Sequence, residues 1–454
     1  MNPQHAPAPG SAPARDHLAQ VFAQYPIEVT GAEGVWIHTR DGRRVLDLYG
    51  GHAVAALGYG HPRWIAALER QAREVLFQSN AVPMEVRSRA ARKLVEFADL
   101  PLDTVFFVNS GAEANENALR LACRLTGRGR IAALEGGFHG RSAAAAAVTS
   151  GSEKWYGFPR RPFDVDFLPR RDATALAAGV TRDTAAVIVE PVQGVGGAFD
   201  MGREYLAALR ARCDETGALL IFDEVQCGVG RTGHPFAANL YRVLPDMITT
   251  AKALGAGFPV GALLMSPAIA ASLRTGELGT TFGGGPMACA VVEAVIDAIL
   301  EEGLLDNVRR VSARIRETCV TGPVTGIQGE GFLLGLRTRR PARDVQAAGL
   351  VIDAILGIGL NKPVAGIYGQ AITLLAQGST AIMALDTPSG LCATTGRTWG
   401  ACVRATYTVT FGCAKQGFYL QQGPAHTGKI VVADIGLPPA LLGQLRPRVK
   451  KGYK

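Results

Sequence analysis

Short apolar runs that end at polar residues or glycine recur along the middle of the chain, and they constrain its fold more than any other feature. In the clearest one, Ala218–Phe222 lead directly into Asp223 and Glu224; similar runs lie at 104–109, 130–134, 185–191 and 246–250. Unbroken apolar runs are typical of strands buried on both faces. Helix-length segments of about 20 to 30 residues separate most of them, so the pattern predicts an α/β fold with a mostly parallel sheet and right-handed crossovers.

Two charged side chains follow neighbouring runs of this series. Asp223 ends one strand, and Lys252 follows the next, in a loop of small residues. Ligands of open α/β sheets gather where the strands end. A poorly solvated lysine there has a lowered pKa and can form a Schiff base with a carbonyl, while a carboxylate can hold a positive ring nitrogen. These stretches alone also allow a surface lysine at 252 and a helix N-cap or metal ligand at 223.

Two further loops suggest ligand binding. Ser110, Gly111 and Ala112 open a helix, whose free N–H groups can bind a phosphate. Phe138 and Arg141, in the glycine-rich loop 136–141, can stack on a ring and bind a carboxylate. Taken singly, the first loop is equally a capped helix, and the second a turn with a core phenylalanine.

Six motifs together resemble the class III aminotransferases, pyridoxal-phosphate enzymes of fold type I. They occur in the family's order over roughly residues 20–350 and are most similar to the acetylornithine and ornithine branch: 110–112, 137–141, 190–194, 223–226, Lys252 and 279–283. The resemblance implies a three-layer αβα fold, a pyridoxal 5′-phosphate cofactor and a homodimer with shared active sites. It also implies transfer of an amino group from an ω-amino acid, such as N-acetylornithine, to 2-oxoglutarate.

The resemblance assigns roles to individual positions. Lys252 forms the Schiff base and moves the proton, and Asp223 pairs with the pyridine nitrogen. The remaining cofactor-binding positions are Ser110, Gly111 and Ala112 at the phosphate, Phe138 on the ring face, Val225, Gln226 at the ring oxygen O3′, and Thr281 at the phosphate of the neighbouring subunit. Arg141 and Thr280 contact the substrate.

Two positions depart from the family pattern. Val195 stands where many members have a glutamate that masks an arginine of the C-terminal segment, and Gly285 replaces a familiar asparagine. The glutamate switches the site between ω-amino donors and 2-oxoglutarate. The choice of substrate is therefore less constrained by the motifs than the cofactor chemistry.

From Val351 onward the sequence resembles the second half of an NAD(P)H-hydrate epimerase domain, a Rossmann-like unit. The matching motifs are 351–360, 384–390, 409–415 and 432–436. The resemblance implies a potassium site at Asp353 and Ser389 and a substrate contact at Asp386. The family's first half is not present, so we expect a hybrid chain with a truncated and inactive epimerase-like segment, or a genuine fusion.

The charge distribution changes at the same place. Residues 351–454 hold ten Lys and Arg against three Asp, whereas residues 1–350 hold 37 basic and 36 acidic side chains out of a total net charge of +8. Because the main body is nearly neutral, we expect no nucleic-acid partner. No apolar run is long enough to span a bilayer, so no membrane association is expected either. The eight scattered cysteines favour a reducing cytoplasm.

The expected organisation has five parts. They are a disordered tail (1–15), the N-terminal part of a small domain (16–70), a large cofactor-binding domain (71–310), the start of the C-terminal small domain (311–350) and a partial epimerase-like segment (351–454). Three functions stay open: aminotransfer, epimerisation of hydrated nicotinamide dinucleotide by the C-terminal segment, and a non-functional hybrid product.

Overall fold

The computed structural model describes residues 17–19, 21, 22, 24, 25, 27–320, 324–339, 350–353, 372, 381–411 and 413–433. Of residues 350–353 and 381 only the backbone is described. The described chain forms two compact units, residues up to 317 with 328–335, and 318–327 with residues from 336 onward. The five-part organisation expected from the sequence stays a prediction.

The strands and helices alternate along the first unit. The strands are β1 Val29–Glu33, β2 Trp36–Thr39, β3 Arg44–Leu46, β4 Thr104–Val108, β5 Arg130–Leu134, β6 Asp164–Leu168, β7 Thr184–Val189, β8 Val192–Gln193, β9 Phe199–Asp200, β10 Leu219–Asp223, β11 Met247–Thr250, β12 Gly261–Met265, β13 Val324–Glu330 and β14 Leu333–Thr338. The helices are α1 Gly50–Ala53, α2 Pro62–Glu74, α3 Glu85–Ala98, α4 Gly111–Thr126, α5 Ala143–Ala147, α6 Ala173–Gly179, α7 Arg203–Thr216, α8 Ala237–Tyr241, α9 Pro267–Ala271, α10 Pro286–Glu301 and α11 Leu304–Thr318. Strands β13 and β14 and helix α11 each include residues that belong to the second unit.

A seven-stranded sheet with the order β4-β12-β11-β10-β7-β5-β6 forms the centre of the first unit. Only β12 runs antiparallel, to both β11 and β4. The remaining pairs are parallel, and Asp223 at the end of β10 lies beside Thr249 of β11. The expected mostly parallel α/β sheet is confirmed, and it brings the ends of β10 and β11 together.

The central strands are mainly apolar because both faces of the sheet are covered. Leu220 and Phe222 of β10 belong to one core cluster, whereas Ile221 between them belongs to the other. Helix α4 packs in the cluster that holds Ile221, and α3, α7 and α10 supply residues to the cluster on the opposite face. This is the alternation that a strand buried between two helical layers requires.

Most elements expected from the sequence are present, with ends shifted by one to three residues. The sequence analysis did not predict β1, α3, β6 or the reversed strand β12, nor the short elements α1, α5, α6, α8, α9, β8 and β9. β12 is a five-residue segment between two turns, and periodicity alone does not distinguish such a short apolar run from a buried helix segment. A separate three-stranded antiparallel sheet contains β1, β2 and β3 in that order.

The second unit contains a four-stranded parallel sheet. Its strands β15 Leu350–Asp353, β16 Ala381–Leu385, β17 Tyr407–Phe411 and β18 Lys429–Ala433 pair in chain order, and α12 Gly423–Thr427 precedes the last strand. Thr408 and Thr410 of β17 are buried, whereas Val431 and Val432 of β18 are 43% and 49% exposed. Among the described residues no helix is long and apolar enough to cross a membrane.

A buried carboxylate links the central sheet to α8. Glu224 directly follows β10 and is fully buried. Its Oε2 and Oε1 accept hydrogen bonds from the backbone N–H groups of Ala237 and Ala238 at 2.5 and 2.9 Å. These bonds cap the N-terminus of α8, but burial raises the pKa of Glu224 to about 7.

The raised pKa of Glu224 predicts how stability changes with pH. Because the folded state keeps its proton up to a higher pH than the unfolded chain, Glu224 adds stability below its ordinary pKa and loses that contribution as the pH rises toward 7. We expect this to remove up to about 3 kcal/mol of the free energy of unfolding over that interval. Denaturation at a series of pH values measures it.

Glu224→Gln should flatten this pH dependence, and Glu204→Gln, at an exposed carboxylate, serves as the matched control. Equal slopes in the wild type and Glu224→Gln would contradict the assignment.

Candidate active site

A cavity of about 420 Å³ opens where β10 and β11 end. It combines residues from six stretches that are far apart in sequence. Its lining comprises Val54, Asn109, Ser110, Gly111, Ala112, Asn115, Phe138, His139, Gly140, Arg141, Glu190, Val195, Asp223, Val225, Gln226, Ala251, Lys252, Gly257, Phe258, Pro259 and Val260. Nine of the eleven positions assigned by resemblance to the cofactor or the amino-acid substrate lie in this one cavity.

Asp223 is a buried carboxylate, only 2% exposed, that is held by three donors. Its Oδ1 accepts a hydrogen bond from Val225 N at 3.0 Å, and its Oδ2 accepts one from Asn115 Nδ2 at 2.8 Å. His139 Nδ1 lies 2.7 Å from the same Oδ2. These contacts stabilise the negative charge and fix the direction of the carboxylate.

Asn115 and His139 are functional residues that the sequence analysis missed. Asn115 Oδ1 accepts from Thr249 Oγ1 at 2.6 Å, so β11 and α4 both hold the amide that binds Asp223. Burial lowers the pKa of His139, but the hydrogen bond and charge of Asp223 outweigh this and leave the pKa above its ordinary value. His139 lies in the motif 137–141, which could have identified it as a site residue. For Asn115 the sequence offers only its place in the helix that begins at Gly111.

Lys252 begins a 3₁₀ turn, Lys252–Leu254, directly after β11. Its φ of 48° is unusual for a residue other than glycine and turns the chain sharply at this point. Desolvation lowers the pKa of the Lys252 amine, although the charges of Asp223 and Glu190 oppose the shift. A lysine with a lowered pKa keeps more of its amine unprotonated and nucleophilic at neutral pH.

The N-terminus of α4 forms one side of the cavity. Ser110 is the N-cap and accepts a hydrogen bond from Glu113 N, as the sequence predicts. Gly111 and Ala112 follow in the first turn, where helical N–H groups have no partner within the helix. A Cβ at Gly111 would lie 2.7 Å from both methyl groups of Val225, so glycine is required for Val225 to pack there.

A second buried carboxylate, Glu190, connects two of the loops. Its Oε1 accepts a hydrogen bond from Phe138 N at 2.9 Å, and its Oε2 accepts one from Gly194 N at 3.1 Å. Burial raises the pKa of Glu190 to about 7, with a further rise from the charge of Asp223. Glu190 thereby positions both the aromatic ring at 138 and the loop that carries Val195; its motif was noted in the sequence, but no role was assigned.

Gln226 and Gly194 fit together in the same loop region. A Cβ at Gly194 would fall 1.5 Å from Gln226 Oε1, so the side chain of Gln226 occupies the space that glycine leaves open. Arg141 also lines the cavity, and its guanidinium stacks on the ring of Trp155.

Thr280 and Thr281 are the two predicted positions that do not line the cavity. Thr280 Oγ1 accepts from Asn109 Nδ2 at 3.2 Å, so Thr280 lies behind a residue that does line it. Thr281 is exposed. Their predicted roles, contact with the substrate and with the neighbouring subunit's phosphate, stay predictions.

The candidate residues of the second unit lie at one end of its parallel sheet. Asp353, whose side chain lies outside the described atoms, ends β15 and pairs with Ala384, while Asp386 directly follows β16. The Asp386 carboxylate forms an ion pair with Lys415 at 2.9 Å and accepts from Thr410 Oγ1 at 3.3 Å. Ser389 is buried. Asp434 and the rest of the last motif, 434–436, lie outside the described residues.

Comparison with known families matches most of the chain to one of them. Residues 19–363 match the family model described as aminotransferase class-III. The chain is a class-III aminotransferase. It is 40% identical to the acetylornithine aminotransferase of Agrobacterium fabrum over 78% of this chain and 92% of that protein. It is 44% identical to that of Streptomyces coelicolor, over 72% and 83%.

Solved structures of aminotransferases have the same fold. An ornithine aminotransferase from Toxoplasma gondii matches this aminotransferase with a TM-score of 0.68 and 29% identity, over 73% of this chain and 81% of that one. A taurine:2-oxoglutarate aminotransferase from Bifidobacterium kashiwanohense, solved in complex with PLP and glutamate, matches with a TM-score of 0.64 and 28% identity over 71% and 80%. The fold type I assignment is therefore confirmed.

A second family model, described as YjeF-related protein N-terminus, matches residues 333–417. The two matched ranges overlap between 333 and 363, which includes the change of character that the sequence shows at Val351. The epimerase-like resemblance of the C-terminal segment is confirmed at the level of the family.

Substitution of Gly194 tests the arrangement of the cavity. In Gly194→Ala the new methyl group displaces the flexible end of Gln226, so we expect cofactor affinity to fall about tenfold, the loss of one good hydrogen bond to a charged group, with little change in stability. Titration with pyridoxal phosphate and thermal unfolding measure the two effects.

Gly279→Ala is the matched control, because nothing lies within 4 Å of its new Cβ. Unchanged cofactor affinity in Gly194→Ala would show that Gln226 does not contact the cofactor.

Proposed function

We propose that the protein is a pyridoxal-phosphate-dependent aminotransferase that moves the terminal amino group of an ω-amino acid, such as N-acetylornithine, to 2-oxoglutarate. The observation that carries the proposal is the placement of the half-buried Lys252 and the buried Asp223 in one cavity. An amine of lowered pKa and a fixed carboxylate are the two groups that this chemistry needs from the protein.

The residues of the cavity fit the cofactor. The first turn of α4 offers N–H groups to a phosphate, Phe138 supplies an aromatic face, and Asp223 offers a carboxylate to a ring nitrogen. Gln226 completes the set with an amide beside the ring. When bound, pyridoxal phosphate supplies a protonated ring that takes up the electrons of a broken substrate C–H bond.

Lys252 has two tasks in this reaction. Its amine anchors the cofactor covalently, which requires an unprotonated nitrogen and therefore benefits from the desolvation that lowers its pKa. The same amine then accepts the proton of the substrate carbon and returns it. The charges of Asp223 and Glu190 favour the protonated form of Lys252, so the amine can hold that proton.

Asp223 keeps a positive charge on the ring nitrogen by supplying a fixed negative one. The donors Asn115, His139 and Val225 hold the carboxylate in place before the reaction begins, so little reorganisation is needed when charge develops. Each carboxylate oxygen has more than one lone pair, which leaves capacity for an N–H donor from the ring.

The substrate class is supported by the relatives and by Arg141. Curated relatives that are about 40% identical are acetylornithine aminotransferases, and one solved neighbour acts with 2-oxoglutarate. Arg141 supplies a guanidinium to a substrate carboxylate at the cavity. Val195, 64% exposed, leaves no acidic side chain at its position in the lining.

The C-terminal segment is a weaker candidate for catalysis. Asp386, the predicted substrate contact of an epimerase, is already bound by Lys415, Thr410 and the backbone N–H of Phe411. A potassium site at Asp353 and Ser389 stays a prediction from the resemblance. The geometry therefore supports aminotransfer best, and the cytoplasmic location stays a prediction from the cysteine pattern.

Two substitutions test the proposed function. In Lys252→Ala, borohydride should no longer link pyridoxal phosphate to the protein, and the visible absorbance of the bound cofactor should disappear. In Asp223→Ala the preorganised negative charge is lost, and with it about 3–4 kcal/mol of transition-state stabilisation. This should lower kcat by a factor of about 100 to 1000. Absorption spectra before and after addition of N-acetylornithine, with steady-state rates, measure both.

Lys429→Ala, at an exposed lysine, is the control for the first variant and should keep the link. Near-normal turnover in Asp223→Ala, or a reducible link in Lys252→Ala, would refute the proposal.

We further propose a homodimer, supported by exposed apolar residues at the loop 279–283. Phe282 is 65% exposed and lies 5.4 Å from the ring of Phe77, itself 43% exposed. Adjacent exposed aromatic rings are typical of protein interfaces. Thr281, beside Phe282, would reach the neighbouring subunit from this patch.

A charge in this patch should separate the subunits. We expect Phe282→Glu to convert a dimer into a monomer in light scattering, because a desolvated carboxylate without a partner opposes association. Leu244→Glu, at an exposed leucine of another loop, should leave the dimer intact. A wild-type monomer would contradict the proposal directly.

A further inference from the structure

Arg141 is held in the cavity by an aromatic ring and not by a carboxylate. Its guanidinium carbon lies 4.4 Å from the centroid of the Trp155 ring, and among the described residues no ion pair to Arg141 is present. Other arginines of the unit, such as Arg124 and Arg130, pair with acidic side chains. The guanidinium of Arg141 therefore keeps its hydrogen-bonding edge free for an anion.

The backbone that carries Trp155 is fixed relative to the loop of Arg141, while Trp155 itself is 36% exposed. Trp155 N donates to Ser152 O at 2.9 Å, which closes the turn before it. The neighbouring Tyr156 donates its hydroxyl hydrogen to Ala143 O at 3.1 Å, two residues after Arg141. The ring and the guanidinium are thus tied to the same short stretch of chain.

Glu116 strengthens this arrangement from α4. Its Oε1 accepts from Ala144 N and Ala145 N at 2.6 and 3.1 Å, at the start of α5. The helix that contains the acceptor of the Tyr156 bond is therefore held against α4, which also carries the predicted phosphate site. The segment that carries Trp155 is therefore connected through α5 to α4, the helix that carries the predicted phosphate site.

Stacking on an aromatic ring restricts the orientation of the guanidinium. A ring that covers one face of the guanidinium limits rotation of a long flexible side chain, and it leaves the planar edge with its N–H donors available. A carboxylate binds that edge with two parallel hydrogen bonds. Because the side chain is already ordered, less conformational entropy is lost when the carboxylate binds.

The cavity offers few other cationic groups to a substrate carboxylate, so the position of Arg141 is important. Besides Arg141, Lys252 is the only lysine or arginine among the described lining residues; His139 is engaged with Asp223, and Glu190 and Asp223 are the acidic residues. The lining at Val54, Val195, Phe258 and Pro259 carries no charge. A substrate carboxylate therefore has a single cationic side chain in the described lining that is not committed to the cofactor.

We propose that Trp155 is a positioning residue for substrate carboxylates, which acts by holding the guanidinium of Arg141 at the cavity. The inference rests on the proposed aminotransferase function and adds a residue to it. It states that recognition of donors with a carboxylate depends on the indole ring, and that recognition of amines without one does not.

A matched pair of donors tests the inference. 5-Aminopentanoate and pentylamine differ only in the carboxylate, and 2-oxoglutarate is kept saturating. In Trp155→Leu we expect KM for 5-aminopentanoate to rise about twofold to fivefold, with kcat nearly unchanged, because the stacking contact of an exposed guanidinium and ring is lost. The kcat/KM for pentylamine should stay at the wild-type value.

The control variants separate positioning from a general loss of structure. Trp155→Phe keeps an aromatic face and should restore most of the affinity for 5-aminopentanoate. Phe158→Leu changes an exposed aromatic residue of the same segment, outside the Arg141 stack, and should alter neither donor. Equal loss for both donors in Trp155→Leu would overturn the proposal, since a merely structural role affects both.

A second readout does not depend on turnover. In the full-length protein free of cofactor, 5-aminopentanoate should produce a saturable change in indole emission that is absent from Trp155→Phe and from Arg141→Leu. Pentylamine should produce none. If the wild type transaminates neither donor, the proposed function fails, and the emission change still decides the role of Trp155; no emission change in the wild type overturns that role.

Discussion

The site depends on the hydrogen bonds that stabilise the buried carboxylate of Asp223. A charge that is 2% exposed is stable only when donors replace the lost water, and Asn115, His139 and Val225 supply them. These donors come from α4, from the loop after β5 and from the turn after β10. The buried charge is therefore stable only when a helix and two loops pack correctly around the end of β10.

The sequence predicted the reacting groups better than their supports. Lys252 and Asp223 were recognisable because charged residues directly follow apolar strands and because parallel strands bring such ends to one edge. Asn115 and Glu190 were not assigned, since each acts on another residue across the fold. No local pattern indicates that a helical asparagine reaches a strand 108 positions later.

The fold also has features that the sequence predicts and features that it does not. The strands β7, β10 and β11 were predictable, because burial on both faces leaves a mainly apolar sequence. The reversed direction of β12 was not, because strand direction depends on pairing with β11 and β4 and leaves no mark in a five-residue segment. Thr280 illustrates the same limit. Its hydroxyl contacts Asn109 behind the cavity, and the order of the motifs does not show whether a residue lines the cavity or lies behind its lining.

Glu190 explains how two buried carboxylates can lie beside one lysine. Both acids favour the protonated amine of Lys252, yet only Asp223 accepts hydrogen bonds from charged or amide side chains. Burial raises the pKa of Glu190 to about 7, so near neutral pH a large fraction of it is uncharged. The charge next to Lys252 is then mainly that of Asp223, and desolvation is free to lower the pKa of the amine, as nucleophilic attack on a carbonyl requires.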